Sequence, residues 1–281
     1  MPKIFEVYNQ AVNQGKDQGV LSADVRLLIA HDEGFAEPID TLYHKDDEMA
    51  HIDLFNSQFA ELLKGKPVEY ILHEARFLNH KIYVDENVLI PRMETEELIA
   101  DLSERIYDYY DPRNYLVVAD IGTGSGAIAL ALKSIFSNWI LLASDISEGA
   151  LNVARNNFKA AGLSITSYQG PSLKPYIDRK TNLDIIVCNP PYITNPDETQ
   201  DSVKNYEPGS ALWLDKQHSV YEEIFRDYKQ VKKGTLLMCF EIGYDLKPYL
   251  TDLMAKYLED YEFEFINDLN GQLRFLFIFL K

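Results

Sequence analysis

At 281 residues the chain is long enough for one large domain and a smaller one, and its 46% hydrophobic content suffices for a core. Its 44 acidic against 27 basic residues leave a net charge of −17, which repels a phosphate backbone, so a protein or a small molecule is the expected partner and free nucleic acid is not. No stretch approaches the roughly 20 apolar residues of a membrane span, and the start MPKIFEVYNQ has no apolar leader, so a cytoplasmic location without membrane contact is expected. Cys188 and Cys239 lie inside apolar runs and read as core thiols, with no metal site expected.

Residues 1–74 read as a small helical domain. Segments 23–30 and 52–63 carry apolar residues at three- and four-residue spacing, and Gly65-Lys66-Pro67 ends the pattern. Residues 75–91 alternate loosely around Asn79 and Asp85-Glu86-Asn87 and are expected to form a β-hairpin linker. From 92 to 281 the pattern is a helix at 94–110, then strands at 115–121, 139–145, 165–169, 183–188 and 235–242, separated by helices at 127–136, 148–161 and 219–231. Such alternation implies a mostly parallel, doubly wound sheet. Strands at 261–267 and 273–280 are joined by only Asp268-Leu269-Asn270-Gly271-Gln272, a connection short enough to require antiparallel neighbours. An α/β sheet closed by such a hairpin resembles the Rossmann-like class I S-adenosylmethionine-dependent methyltransferases more than the dehydrogenases.

Three motifs carry chemistry. The first is Asp120-Ile121-Gly122-Thr123-Gly124-Ser125-Gly126 at the end of the first strand, where glycines let a cofactor approach the backbone at a helix start. Asp120 suits a ligand with a cationic end, and Asp145, ending the second strand, suits both hydroxyls of a ribose. The same glycines also fit a dinucleotide fingerprint. Asn189-Pro190-Pro191-Tyr192, at the end of the fourth strand, argues against that reading. The Asn189 side-chain oxygen and the Pro190 carbonyl can both accept hydrogen bonds from one NH2 group, orienting a weakly nucleophilic amide or amine nitrogen. The prolines stiffen the loop, and Tyr192 offers a flat face to a planar group. The third motif, residues 89–97, reads as a helix start, with Arg92 and Thr95 as candidates to lie over the cofactor site. Glu241, near the end of the fifth strand, is a candidate substrate contact, whereas His73, His80 and His218 have no partner at ligand spacing.

The order PVEYI (67–71), LIPRMETEEL (89–98), DIGTGSGAIAL (120–130), SDISEGALNVARNN (144–157), NPPYI (189–193), YEPGSAL (206–212) and FEIG (240–243) resembles the peptide chain release factor glutamine N5-methyltransferases over nearly the whole chain. The resemblance implies S-adenosylmethionine as cofactor, S-adenosylhomocysteine as its product, and the glutamine of the Gly-Gly-Gln loop of class I release factors as acceptor. It also implies that Asp145 and the glycine loop bind the cofactor, that Asn189 through Tyr192 hold the amide, and that the N-terminal helices help to dock the release factor. Where the family has an acid near the adenine, this chain has Pro171-Ser172, so that side-chain contact is lost and the backbone around Ser172 is left to serve. Two other readings stand beside this one: an enzyme with the same loop acting on an exocyclic amine of a DNA or RNA base, and a binding module without turnover.

Overall fold

A computed structural model describes residues 1–111 and 113–281. The chain divides into two compact units, Met1–Glu74 with Thr199–Tyr206, and Ala75–Glu198 with Glu207–Lys281. Among the described residues no helix is long and apolar enough to cross a membrane.

The first unit is helical: α1 (Ile4–Gly15), α2 (Ser22–Asp32), α3 (Asp40–Tyr43), α4 (Ile52–Leu62) and α5 (Val68–Leu72), joined by a later segment that contains the short helix Asp201–Tyr206. Spacing of three and four residues places Val25, Leu28 and Ile29 of α2 on one face. They pack with Phe55, Phe59 and Leu62 of α4, and with Ile4 and Val7 of α1. The Tyr206 hydroxyl donates to the Lys64 carbonyl (3.1 Å), tying the later segment to the end of α4.

The second unit opens with a hairpin shorter than the sequence suggests. Only β1 (Ala75–Phe77) and β2 (His80–Ile82) pair, around Leu78-Asn79, and residues 83–91 run on as irregular chain. Then follow α6 (Met93–Tyr109), β3 (Val117–Ile121), α7 (Ala127–Ile135), β4 (Ile140–Asp145), α8 (Glu148–Ala160), β5 (Thr166–Gln169), α9 (Lys174–Asp178) and β6 (Leu183–Cys188) and, after the first unit's α10 (Asp201–Tyr206), α11 (Val220–Asp227), β7 (Lys232–Glu241), α12 (Lys247–Tyr257), β8 (Tyr261–Asn267) and β9 (Leu273–Leu280). The seven-stranded sheet has the order β5-β4-β3-β6-β7-β9-β8. Pairings from β5 to β7 are parallel, and those of β9 with β7 and β8 are antiparallel.

Central strands covered on both faces must be apolar throughout, and Leu183–Cys188 and the second half of β7 are buried nearly without interruption. The edge strand β8 instead carries Glu262 and Glu264, with Glu264 paired to Arg105 of α6, which discourages pairing with another sheet. Between β3 and β6 the winding direction reverses. The crevice outside the carboxyl ends of strands at such a point is where open α/β sheets bind ligands.

Candidate active site

A cavity of about 300 Å³ opens at that crevice. Its walls come from the ends of β3, β4, β5 and β6, from residues 87–92, and from the stretch after residue 207 that leads into α11. Gly122, Thr123, Gly124 and Ser125 line it, as do Asp145, Ser172, Arg92, Thr95, Asn189, Pro190 and Pro191. Asp120, Gly126, Tyr192 and Glu241 lie outside the wall, so four residues singled out in the sequence stand behind the cavity and not in it.

The glycine loop is held from beneath. Gly122 and Thr123 both donate to the Ser144 carbonyl (2.8 and 2.9 Å), and Gly124 N–H donates to Asp145 Oδ2 (2.9 Å). Gly122 and Gly124 have φ of 71° and 54°, and a Cβ on either would meet nothing within 4 Å, so side chains there would project into open space at the wall. Asp145 Oδ1 accepts from Ser147 N–H (2.9 Å). Burial raises its pKa above the ordinary value, against the lowering effect of these backbone donors.

Asp120 departs from its expected place at a ligand's cationic end. Its carboxylate is turned under the loop, where Oδ2 accepts from the Thr123 hydroxyl (2.6 Å) and from Ala129 N–H (3.1 Å), while Oδ1 is buried without a partner. Desolvation pushes its pKa up to about 7, the two hydrogen bonds opposing the shift.

Around Asn189 the polar groups form a chain. The Asn189 Nδ2 donates to Thr95 Oγ1 (3.1 Å), the Thr95 hydroxyl donates to Glu241 Oε2 (2.6 Å), and the Tyr192 hydroxyl donates to Glu241 Oε1 (3.0 Å). Glu241 is fully buried and its pKa is raised by desolvation, against hydrogen bonds from Thr95 and Tyr192 and the charge of Arg274. The Arg274 guanidinium stands 5.8 Å from the centre of the Tyr192 ring. Glu241 and Tyr192, expected to touch substrate, therefore spend their polar groups on each other and on Thr95.

Arg92 is likewise engaged. It pairs with Glu207, whose buried carboxylate also accepts from Ile90 N–H (3.2 Å), so the PRMET and YEP segments are stapled together across the wall. Sequence reasoning gave Glu207 no separate role, and it missed Asn157. The Asn157 Nδ2 donates to the carbonyls of Ser125 (2.8 Å) and Tyr83 (3.0 Å), clamping the glycine loop to the chain after β2. A polar residue within the buried stripe of α8, beside Ala154 and Phe158, was its sequence signal. His218 was given no chemistry, yet it lines the cavity with Val220 and Glu223, and its Nδ1 lies 2.9 Å from Asp215 Oδ2. Among the described residues no group of three or more His, Cys, Asp or Glu could hold a metal ion.

Residues 98–233 match the family described as Methyltransferase small domain. The release factor glutamine methyltransferase of Enterococcus faecalis is 33% identical over 274 residues, covering 96% of each chain. Its namesake in Bacillus subtilis is 33% identical over 97% of this chain and 96% of its own, and that of Streptococcus pneumoniae 37% identical over 78% and 77%. Among solved structures, the hMettl16 catalytic domain in complex with MAT2A 3'UTR hairpin 1 superposes with a TM-score of 0.54 at 18% identity, covering 81% of this chain and 80% of that one. At such identity the likeness shows the fold alone, a class I methyltransferase fold as the strand order implies. Identity of a third over almost the full length goes further: the chain belongs to the release factor glutamine methyltransferases.

Proposed function

We propose that this protein transfers a methyl group from S-adenosylmethionine to the side-chain amide nitrogen of the glutamine in the Gly-Gly-Gln loop of class I peptide chain release factors. The observation that carries the reading is that one cavity is walled by the glycine loop and Asp145 on one side and by Asn189-Pro190-Pro191 on the other.

The wall fits that cofactor. Its volume falls in the range of about 300–1,000 Å³ that takes small ligands, Gly122 and Gly124 leave a cradle that a Cβ would fill, and the Ser172 Oγ is buried without a partner. When bound, S-adenosylmethionine supplies an electrophilic methyl on a sulfonium and is left as S-adenosylhomocysteine. Asp145, in the wall at the end of β4, is set to accept the ribose hydroxyls. Ser172, at a left-handed φ of 46°, offers its hydroxyl where the family has an acid, and Arg92 and Thr95 close the wall opposite. Asn189 Oδ1 and the Pro190 carbonyl accept the two hydrogens of the glutamine amide. This holds the nitrogen in place and stabilises the positive charge it gains as the N–C bond forms. The extra proton then leaves to water, and no strong base is required.

Labelled S-adenosylmethionine, incubated with purified release factor, its Gln→Ala variant in the Gly-Gly-Gln loop and a mixed DNA/RNA pool, tests the reading. Label on the wild-type factor alone is the expected result. Label on nucleic acid, or none at all, would overturn it.

A further inference from the structure

We propose that Thr95 and Glu241 are positioning residues which fix, through the direction of their hydrogen bonds, which end of the Asn189 amide faces the cavity. The inference rests on the proposed function for its catalytic meaning, though the network itself is independent of the acceptor.

An asparagine amide is nearly symmetric in shape, and only its surroundings decide where oxygen and nitrogen lie. Pro190 and Pro191 fix the backbone but say nothing about that choice. Here the choice is forced in three steps. Two hydroxyls meet Glu241, one at each oxygen; against the burial that favours its neutral form, these donors and the charge of Arg274 favour the carboxylate, which accepts and cannot donate. The single hydroxyl hydrogen of Thr95 is therefore spent on Glu241, and its oxygen can only accept. Asn189 must meet it with Nδ2, as it does at 3.1 Å, and Oδ1 is left for the cavity.

Polarity is the essential property. With the opposite orientation Asn189 would present a donor to an NH2 group that is itself a donor, and the acceptor nitrogen would be repelled from its attacking position. A buried acid two side chains away thus sets the chemical character of a group it never touches. This reading also explains why Glu241 and Tyr192 stand outside the cavity wall while the residues they support stand in it. Thr95 belongs to the wall, and its hydroxyl donates to the acid behind it.

The test uses the full-length protein and three variants: Thr95→Val, which keeps the shape and removes the hydroxyl, Thr95→Ser, which restores it, and Glu241→Gln, which makes the polarity ambiguous. Nitrogen-15 spectra read the Asn189 side-chain NH2 signal, identified by its loss in Asn189→Asp. In Thr95→Val and Glu241→Gln that signal should shift and its protons exchange faster with solvent, and in Thr95→Ser it should return toward the wild-type position. Alongside, kcat on release factor should fall about 10²-fold in Thr95→Val and Glu241→Gln, with partial rescue in Thr95→Ser, and cofactor Kd should change little in Glu241→Gln, whose side chain lies outside the wall. An unchanged NH2 signal in both Thr95→Val and Glu241→Gln would overturn the network. Wild-type turnover in either would overturn its catalytic role. Failure of the unaltered protein to methylate release factor would instead sink the proposed function, and the spectra would still decide the network. If Thr95→Val melts at too low a temperature to study, Glu241→Gln carries the same comparison.

Discussion

Asn189 and Asp145 sit in the wall of one cavity yet should fail differently when removed. Asn189→Ala deletes the proposed acceptor for the substrate amide while leaving the glycine loop intact. Its kcat should drop about 10²-fold or more with the affinity for S-adenosylhomocysteine nearly unchanged. Asp145→Ala removes the proposed ribose acceptor and releases Gly124 N–H, so the Kd should rise by at least about tenfold, two hydrogen bonds at roughly 1 kcal/mol each amounting to about 30-fold. Calorimetric titration with S-adenosylhomocysteine, beside steady-state kinetics, separates the two. Equal loss of affinity in both would mean that this division of labour does not exist. The glycines, Asp145 and Asn189 were legible in the sequence because their chemistry is local to a strand end. Thr95 and Glu241 were visible as candidates, but their partnership spans 146 residues of chain, and only the folded register of α6 against β7 brings them together.

At the scale of elements, the joints matter more than the spans. Gly126 caps α7 at φ 84°, and a Cβ there would stand 2.5 Å from the Phe158 ring of α8. Gly126→Ala should therefore destabilise the protein by about 1–3 kcal/mol. Gly162→Ala, at positive φ but with open space, should cost roughly 1 kcal/mol, and thermal melting of the pair checks the difference. Arg92→Ala leaves the Glu207 carboxylate buried without its cation, which should cost about 1–3 kcal/mol in denaturant titration, since Arg92 is partly exposed and Ile90 N–H remains. Replacing both with apolar residues should recover much of that loss; a double variant as unstable as the single one would show that the pair is not what holds these segments. The alternating strands and helices of the second unit stood out in the sequence because buried parallel strands are continuously apolar. Helix α12 went unread although Leu250, Leu253 and Met254 are spaced as a buried face. The hairpin came out shorter than its pattern, because Val84, Val88 and Ile90 are buried in the body of the unit and not in a strand ladder.

For the whole molecule, Asp120 ties folding to acidity. In the folded chain its pKa is pushed from 3.8 to about 7, so the native state keeps a proton that the unfolded chain has already released. Stability from this group is therefore full below about pH 4 and declines as pH rises toward 7, by up to about 4 kcal/mol. Asp120→Asn should flatten the fall in melting temperature between pH 4 and 7 relative to the unaltered protein. Parallel curves would show that Asp120 does not carry the effect. Asp145 and Glu241 shift in the same direction, so the comparison with the variant isolates the one group.

The compact unit at the start of the chain also claims Thr199–Tyr206, a segment flanked by the Asn189 loop on one side and Glu207 on the other. The polypeptide therefore passes between the units three times: once after Glu74, then on either side of that segment. A gene truncated at Ala75 would strand α10 without the helices it folds against, and a protease cutting there would separate nothing cleanly. The helical unit is thus not a detachable cassette. Exchanging or losing it means rewriting the stretch that joins the Asn189 loop to Glu207, so the two units are bound to change together.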